Sequence, residues 1–342
     1  MSDRLEVVPV RGIAEISAGD DLATQIHEAL PEPLRDGDVV AVTSKIVSKA
    51  AGLTFDGVRD TLLDKHTVRT VARRGNTRIV RTTHGLTMAA AGLDASNTAP
   101  GSVVALPPDP DADAARLRDQ LGRLSGANVA VIVTDTAGRP WRQGQTDIAI
   151  GAAGLATIDD LADALDSHGN RLVVTAPAVA DEIAGAADLV QGKTLGVPVA
   201  VVRGVAERVL PPGRHGDGAA ALVRPAEADL FGWGSADAVR AAVRRDDPEA
   251  DRGFPVPDDS VDDMVADALE AADPTLVELR PLAPGQWQVA AVDRAEREAA
   301  AWEAGGLVER LRALAVATRR RIEVRHDRSE PSALARVTIT PE

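Results

Sequence analysis

The chain has no cysteine and no tyrosine among its 342 residues, and aromatic side chains make up 2% of it. Without cysteine there is no disulfide framework, thiolate nucleophile, iron–sulfur cluster or cysteine-ligated zinc. With so few rings the interior has to be built from Ala, Val, Leu and Ile. No run approaches the ~18 apolar residues of a membrane-spanning helix. The start, Met1-Ser2-Asp3-Arg4-Leu5-Glu6, lacks the basic and then apolar stretch of a signal peptide. Excess positive charge is missing too: 38 Lys and Arg face 52 Asp and Glu, a net charge of −14. Non-specific nucleic-acid binding has no electrostatic footing in such a chain. An anionic ligand must be met by a local cluster of Lys, Arg or metal working against the overall field. The six histidines show neither HExxH nor paired spacing, which speaks against a zinc hydrolase. The expectation is a cytoplasmic protein with no membrane or nucleic-acid partner, and its 44% hydrophobic residues suffice for a core.

What is there alternates. Residues 5–10 read as a strand, and 20–30 as a helix with Leu22, Ile26 and Leu30 on one face and Pro31 as its stop. Strands are predicted at 39–42, 78–81, 103–106, 129–134, 172–175 and 197–202, and helices at 66–74, 111–124 and 179–190. Such alternation predicts a mixed α+β fold, helices layered on a mixed sheet. No internal repeat is visible. The length favours two domains: a main domain over 1–234, an acid-rich linker over 235–263, and a small α+β module over 264–342. That module reads as helix, two extended runs, a long helix at about 294–321 and two more extended runs.

Thr43-Ser44-Lys45-Ile46-Val47-Ser48-Lys49 follows a buried-type strand. If it turns helical, its two lysines share a face beside hydroxyls, a set suited to phosphate oxygens; the plainer alternative is a solvated lysine face. Val131-Ile132-Val133-Thr134-Asp135-Thr136 puts a carboxylate and hydroxyls where a hydrophobic strand ends, the usual place for ligand sites in α/β sheets. Asp and Thr oxygens suit Mg²⁺ or Mn²⁺, and the alternative is a cap followed by a surface loop. Gly138-Arg139-Pro140-Trp141-Arg142-Gln143-Gly144-Gln145-Thr146-Asp147 comes next, with two arginine forks fit for carboxylate or phosphate. Gly92-Leu93-Asp94-Ala95-Ser96-Asn97 adds a carboxylate and an amide in what is otherwise an ordinary turn.

Two look-alikes fall away. Gln191-Gly192-Lys193-Thr194 resembles the end of a P-loop, but Ala187 stands where the first glycine is required and a predicted helix, not a strand, precedes it. Gly232-Trp233-Gly234 is an incomplete dinucleotide fingerprint with no strand before it.

Together these segments resemble the coenzyme F420-0:L-glutamate ligase, or gamma-glutamyl ligase, family. The resemblance spans about residues 5–232. It is carried by Pro9-Val10-Arg11-Gly12-Ile13-Ala14-Glu15-Ile16, by residues 36–49, by residues 89–97, by the Thr134-Asp135-Thr136 to Gly144-Gln145-Thr146-Asp147 block, by residues 179–184 and by residues 199–204. It implies a mixed α/β fold of the family's own and a homodimer. The implied enzyme is a GDP-forming ligase that adds L-glutamate to coenzyme F420-0, and further γ-linked glutamates, through an acyl phosphate. GTP would be co-substrate, with a divalent metal (Mg²⁺ or Mn²⁺) and a monovalent cation such as K⁺. Carried onto this chain, Asp94, Asp135 and Thr136 are implied metal ligands. Ile13, Ala14, Glu15, Ile16, Ser44, Lys45, Lys49 and Asn97 are implied nucleotide contacts, and Asp135 and Lys49 the catalytic pair. Arg139, Arg142, Gln145 and the loop after Gly204 are implied on the substrate side.

Two departures stand out. Many relatives continue into a flavin-dependent reductase domain, but the tail here is too short and does not keep that pattern, so no flavin is expected. Residues 158–170 are acid-rich and atypical, which leaves the acceptor open. The competing readings are a nucleotide-dependent ligase acting on another phosphorylated acid, and a non-catalytic binding protein with a vestigial ligase core.

Overall fold

Val39-Val40-Ala41-Val42 carries no polar residue, so a strand made of it must be covered on both faces. The computed structural model satisfies this demand. It describes residues 4–341 except 58, 97, 99–100, 163, 173–174, 226–227 and 245–259. Two compact units divide the chain, residues 1–223 and 224–342.

In the first unit the chain runs β1 (Glu6–Val10), α1 (Leu22–Ala29), β2 (Val39–Thr43), α2 (Ser44–Ala50), β3 (Thr54–Asp56) and α3 (Arg59–Lys65). A basic hairpin and its third strand follow: β4 (Thr67–Arg74), β5 (Thr77–Thr82) and β6 (Thr87–Ala89). Then come β7 (Ser102–Val104), α4 (Pro110–Ser125), β8 (Ala130–Gly138), β9 (Gln145–Ala153), α5 (Val179–Gln191) and β10 (Val199–Arg203). The central sheet has the order β1-β10-β2-β8-β9. Its β2–β8 pair is parallel and its other pairs antiparallel.

Alternation along the strands divides the core into two layers. Val40, Val42, Val131 and Val133 meet Leu22 and Ile26 of α1 and Leu117 and Leu121 of α4. Val39, Ala41, Ala130 and Ile132 meet Ala180, Ile183, Ala184 and Ala187 of α5. Each fully buried Val or Ile contributes about 1.5–3 kcal/mol relative to exposure. Local signals agree with the packing. Asp21 caps α1 by accepting the Thr24 N–H at 3.1 Å, and Asp109 caps α4 by accepting the Ala112 N–H at 2.9 Å. Pro110 opens α4, and Gly126 closes it in left-handed backbone at φ 73.

The second unit runs α6 (Ser235–Val243), α7 (Val261–Glu270), β11 (Val277–Ala283), β12 (Gln286–Ala291), α8 (Arg297–Ala317), β13 (Arg320–His326) and β14 (Ala333–Pro341). Its sheet has the order β11-β12-β14-β13, with Leu307 and Leu311 of α8 packed on Val289 and Val337. Among the described residues no helix is long and apolar enough to cross a membrane.

The expected α+β class holds, and several elements differ from the sequence reading. Residues 66–74, read as a helix, form strand β4 after a single residue of turn. Two irregularities in its pairing with β5, at 67–69 and 70–72, shift the period-two alternation and leave valines and arginines at helix-like spacing. Of the expected strand at 172–175, residues 173–174 lie outside the described residues, and Leu172 and Thr175 are in no strand. The long helix stops at Ala317, with Arg320 and Arg321 already in β13. Residues 235–243, read as linker, are helix α6; residues 245–259 of that linker lie outside the described residues.

Candidate active site

Two of the motifs sit at the ends of adjacent parallel strands. β2 delivers Thr43-Ser44-Lys45, β8 delivers Thr134-Asp135-Thr136, and the register sets Thr43 opposite Thr134. Parallel neighbours bring their carboxyl ends to one edge, where ligand sites of α/β sheets gather. The buried Ser44 hydroxyl thus donates to Asp135 Oδ1 at 3.2 Å, across 91 residues of sequence.

Asp94 arrives from a third direction. Its backbone N–H and C=O both bond to Val104, at 3.0 and 2.8 Å. The turn before it holds Ala90 and Ala91 in left-handed backbone, φ 52 and 54. Such a conformation costs roughly 1–2 kcal/mol for a residue with a Cβ, so the surrounding packing must impose it. The Asp94 carboxylate accepts from Lys45 Nζ at 2.8 Å, from the Ser96 N–H at 2.7 Å and from the Ser96 hydroxyl at 3.0 Å. Lys45 Nζ also donates to the Ser96 carbonyl and hydroxyl, each at 2.9 Å. Burial raises the Asp94 carboxyl, but Lys45 and Ser96 outweigh it and hold the group below its ordinary range.

Asp135 goes the other way. Burial, then the charges of Asp147 and Asp94, push its carboxyl up to about 7, against the pull of the Ser44 hydroxyl and the Thr136 N–H. Among the described residues it has no ion pair. Thr136 turns its hydroxyl away: Thr134 and Thr136 share the opposite face of β8 and donate to Asp147 at 3.0 and 2.8 Å. The buried Asp147 carboxyl is itself raised, by burial first and then by Asp188, against these two hydroxyls. Asp147 is the residue that sequence reasoning passed over. It closes the Gly144-Gln145-Thr146-Asp147 block, and its role depends on lying opposite Thr136 in the β8–β9 ladder.

The nucleotide set divides. Lys49 stands one helical turn beyond Lys45 and forms an ion pair with Glu15, which ties the 13–16 segment to α2. Ala14 and Glu15 are exposed, Ile13 packs against the core, and Ile16 is buried in it, so Ile16 can offer a ligand little besides backbone. Asn97 lies outside the described residues. Arg139 and Arg142 sit on the exposed turn between β8 and β9, where Arg139 donates to the Gln143 carbonyl at 3.0 Å. Gln145 is the last residue of the ladder, opposite Gly138. Among the described residues none of the three forms a hydrogen bond or ion pair with Asp94 or Asp135.

The loop after Gly204 lies at the other end of the sheet. Leu210 and His215 bond to the backbone of Gly154. The buried Arg118 guanidinium gathers the carbonyls of Val129, Leu210, Pro211 and Arg214, at 2.6–3.2 Å, together with Asn128 Oδ1 at 3.0 Å.

The oxygens at the carboxyl edge fit a hard divalent cation. Among the described residues Asp135 is a partly buried carboxylate without a cationic partner, Asp94 stands close enough to raise it, and its donors are the Ser44 hydroxyl and the Thr136 N–H. Among the described residues no three carboxylate or imidazole side chains form a closed metal cage. A cation held by one or two carboxylates, with phosphate and water completing its shell, is the usual arrangement for Mg²⁺.

Comparison with known proteins gives a consistent picture. The family model described as F420-0:Gamma-glutamyl ligase matches residues 12–204. A protein named coenzyme F420:L-glutamate ligase from Methanothermobacter thermautotrophicus is 37% identical over 251 residues, covering 66% of this chain and 98% of that relative. One of the same name from Methanopyrus kandleri is 35% identical over 252 residues, covering 67% and 97%. A third, from Archaeoglobus fulgidus, is 36% identical over 223 residues, covering 59% and 88%. About a third of this chain therefore has no counterpart in these relatives.

Proposed function

The chain belongs to the F420-0:gamma-glutamyl ligase family, and from that membership we propose that it joins L-glutamate to coenzyme F420-0 at the expense of GTP. Making an amide from a carboxylate is uphill in water, so the carboxylate has to be activated first. In the proposed sequence a carboxylate oxygen of the acceptor attacks the γ-phosphorus of GTP, the bond to the β–γ bridging oxygen breaks, and GDP leaves. The glutamate amine then attacks the acyl carbon, the bond to the phosphate oxygen breaks, and phosphate departs as the amine sheds a proton. Phosphoryl transfer of this kind asks the protein mainly for positioning and charge neutralisation.

Asp135 and Asp94 would hold Mg²⁺ or Mn²⁺, which when bound supplies charge neutralisation around the phosphoryl group. Ser44 orients Asp135 through its hydroxyl, and Lys45 fixes Asp94 while adding positive charge beside it. Lys49, one turn on, is placed to meet phosphate if Glu15 releases it. Asp147 braces Thr134 and Thr136 behind the strand end. The assembly that goes with this reading is a homodimer.

The observation that carries the proposal is the meeting of Ser44, Lys45, Asp94 and Asp135 at one sheet edge, with no basic side chain paired to Asp135 among the described residues. The test is incubation of the protein with GTP, Mn²⁺, L-glutamate and glutamate-free coenzyme, followed by product mass and GDP release. Product heavier by one or more glutamyl units, with GDP formed in step, is the expected result. GDP formed with other phosphorylated acids but not with this acceptor would replace the substrate. No GDP with any acceptor would overturn the proposal.

A further inference from the structure

From Lys65 to Leu93 the sequence holds six basic side chains, Lys65, Arg69, Arg73, Arg74, Arg78 and Arg81, and no Asp or Glu, in a chain whose acids outnumber its bases by 52 to 38. These residues build the β4–β5 hairpin and its surroundings. The register sets Arg69 directly opposite Arg81, and Arg73 opposite Arg78. Like charges facing one another across a ladder destabilise it. Arg78 is answered by Asp64 at 2.9 Å. Among the described residues the side chains of Arg73, Arg74 and Arg81 form no hydrogen bond or ion pair, and Arg73 and Arg74 are exposed.

The position of the hairpin is as informative as its charge. Val80 of β5 packs with Ala91 and Leu93, the residues that lead into Asp94. Ile79 lies opposite Ala89, the last residue of β6, so the Arg73–Arg78 end of the hairpin extends past Ala89 in the direction in which β6 runs, just before the turn that leads to Asp94. The unneutralised arginines are therefore mounted on the segment that carries a candidate metal ligand.

We propose that the tip of this hairpin, Arg73 and Arg74, docks the carboxylate-bearing tail of the acceptor. The proposal rests on the ligase reading above and goes beyond it by assigning a surface to the growing product. Each ligation consumes one carboxylate and brings in two, so every product is more anionic by one charge than its acceptor. A surface of net charge −14 repels such a chain increasingly as it lengthens. Arginine forks that take carboxylates in pairs supply the local remedy, and the open face of a hairpin sets no fixed limit on length.

The probe is tetra-γ-L-glutamate, titrated calorimetrically into the whole protein at about 50 mM and about 300 mM salt. Wild type is expected to bind more weakly at the higher salt, and Arg73→Gln/Arg74→Gln to lose at least ~10-fold in affinity. Arg73→Lys/Arg74→Lys should fall between them, because charge is kept and the fork is lost. Mass spectrometry of ligation products should show shorter chains from the Gln variant. Removing two like charges should not lower the thermal midpoint, which separates loss of docking from loss of fold. Unchanged affinity in the Gln variant overturns the proposal. So does tighter, equally Arg-dependent binding of a single-stranded RNA of matched charge, which would assign the hairpin to nucleic acid. Tetramer binding that needs the arginines, in a protein that forms no GDP with any acceptor, would keep the dock and sink the ligase reading. Ligation with tetramer binding indifferent to the arginines would do the reverse.

Discussion

Replacing Asp135 by Asn should make the metal-free protein more stable at pH 8 while removing its activity. The wild-type carboxyl is raised from its ordinary 3.8 to about 7, by burial first and by Asp147 and Asp94 after it. A group raised in the folded state contributes stability that is complete below its unfolded value and is lost as pH climbs through about 7. At pH 8 the metal-free wild type therefore carries an unfavourable charge that Asn lacks. At roughly 1.4 kcal/mol for each tenfold change in proton affinity, the ceiling is about 4 kcal/mol. Water reaches part of this group, so about 1–2 kcal/mol is the expected gain. In a unit of this size that corresponds to about 3–6 °C in thermal midpoint. Scanning calorimetry with chelator present should show the variant melting higher at pH 8, with the gap narrowing as pH falls below about 7 and closing below the ordinary carboxylate value of 3.8. Turnover should fall at least ~10²-fold, the scale for loss of one electrostatic element. A variant equal to or below wild type at pH 8, or a difference indifferent to pH, would refute the idea that this carboxylate is held against its preference.

Three further outcomes can be checked. Because the proton must leave Asp135 before a cation binds, Mn²⁺ affinity measured by calorimetry should fall about tenfold per pH unit below about 7 and level off above it. Lys45→Met, which strips Asp94 of its 2.8 Å ion pair, should cut GTP-dependent phosphate release by ~10²-fold or more. Its cost in stability should stay under about 1 kcal/mol, as for other solvent-accessible pairs. Arg118→Leu takes the guanidinium donor from the Val129, Pro211 and Arg214 carbonyls and the Asn128 amide oxygen, while the Leu210 carbonyl keeps the Asn128 Nδ2 donor at 3.0 Å, and urea denaturation should register a loss of about 3–5 kcal/mol; a loss below ~1 kcal/mol would mean that water replaces the guanidinium freely.

The central sheet was legible because its signals are local. Val39-Val40-Ala41-Val42 has no polar interruption, and the helix at 110–125 carries an Asp cap, an opening proline and a closing glycine. The hairpin strand over Thr67–Arg74 was illegible for an equally physical reason: two register shifts break its alternation, so Val68, Val71 and the arginines mimic a helical face. Motif chemistry located Ser44, Lys45, Asp94 and Asp135, and the structure joins them through Ser44–Asp135 and Lys45–Asp94 contacts. Which face a residue takes was not in the motif. Thr136 stands beside Asp135 in sequence yet turns its hydroxyl to Asp147. The placement of Asp147 depends on a β8–β9 register that no local pattern announces.

Among the described strands, β2 and β8 form the one parallel pair, and everything between residues 44 and 129 is a single excursion from that seam. Enlarging such an excursion is cheap: doubling a flexible loop costs about 0.6 kcal/mol in closure entropy. A one-residue slip of the seam itself would carry Asp135 away from Ser44 and exchange the side chains that meet the two core layers. Variation in this architecture is thus channelled. The excursion can be rebuilt to suit a different guest molecule, while the two strand ends that flank it must keep step.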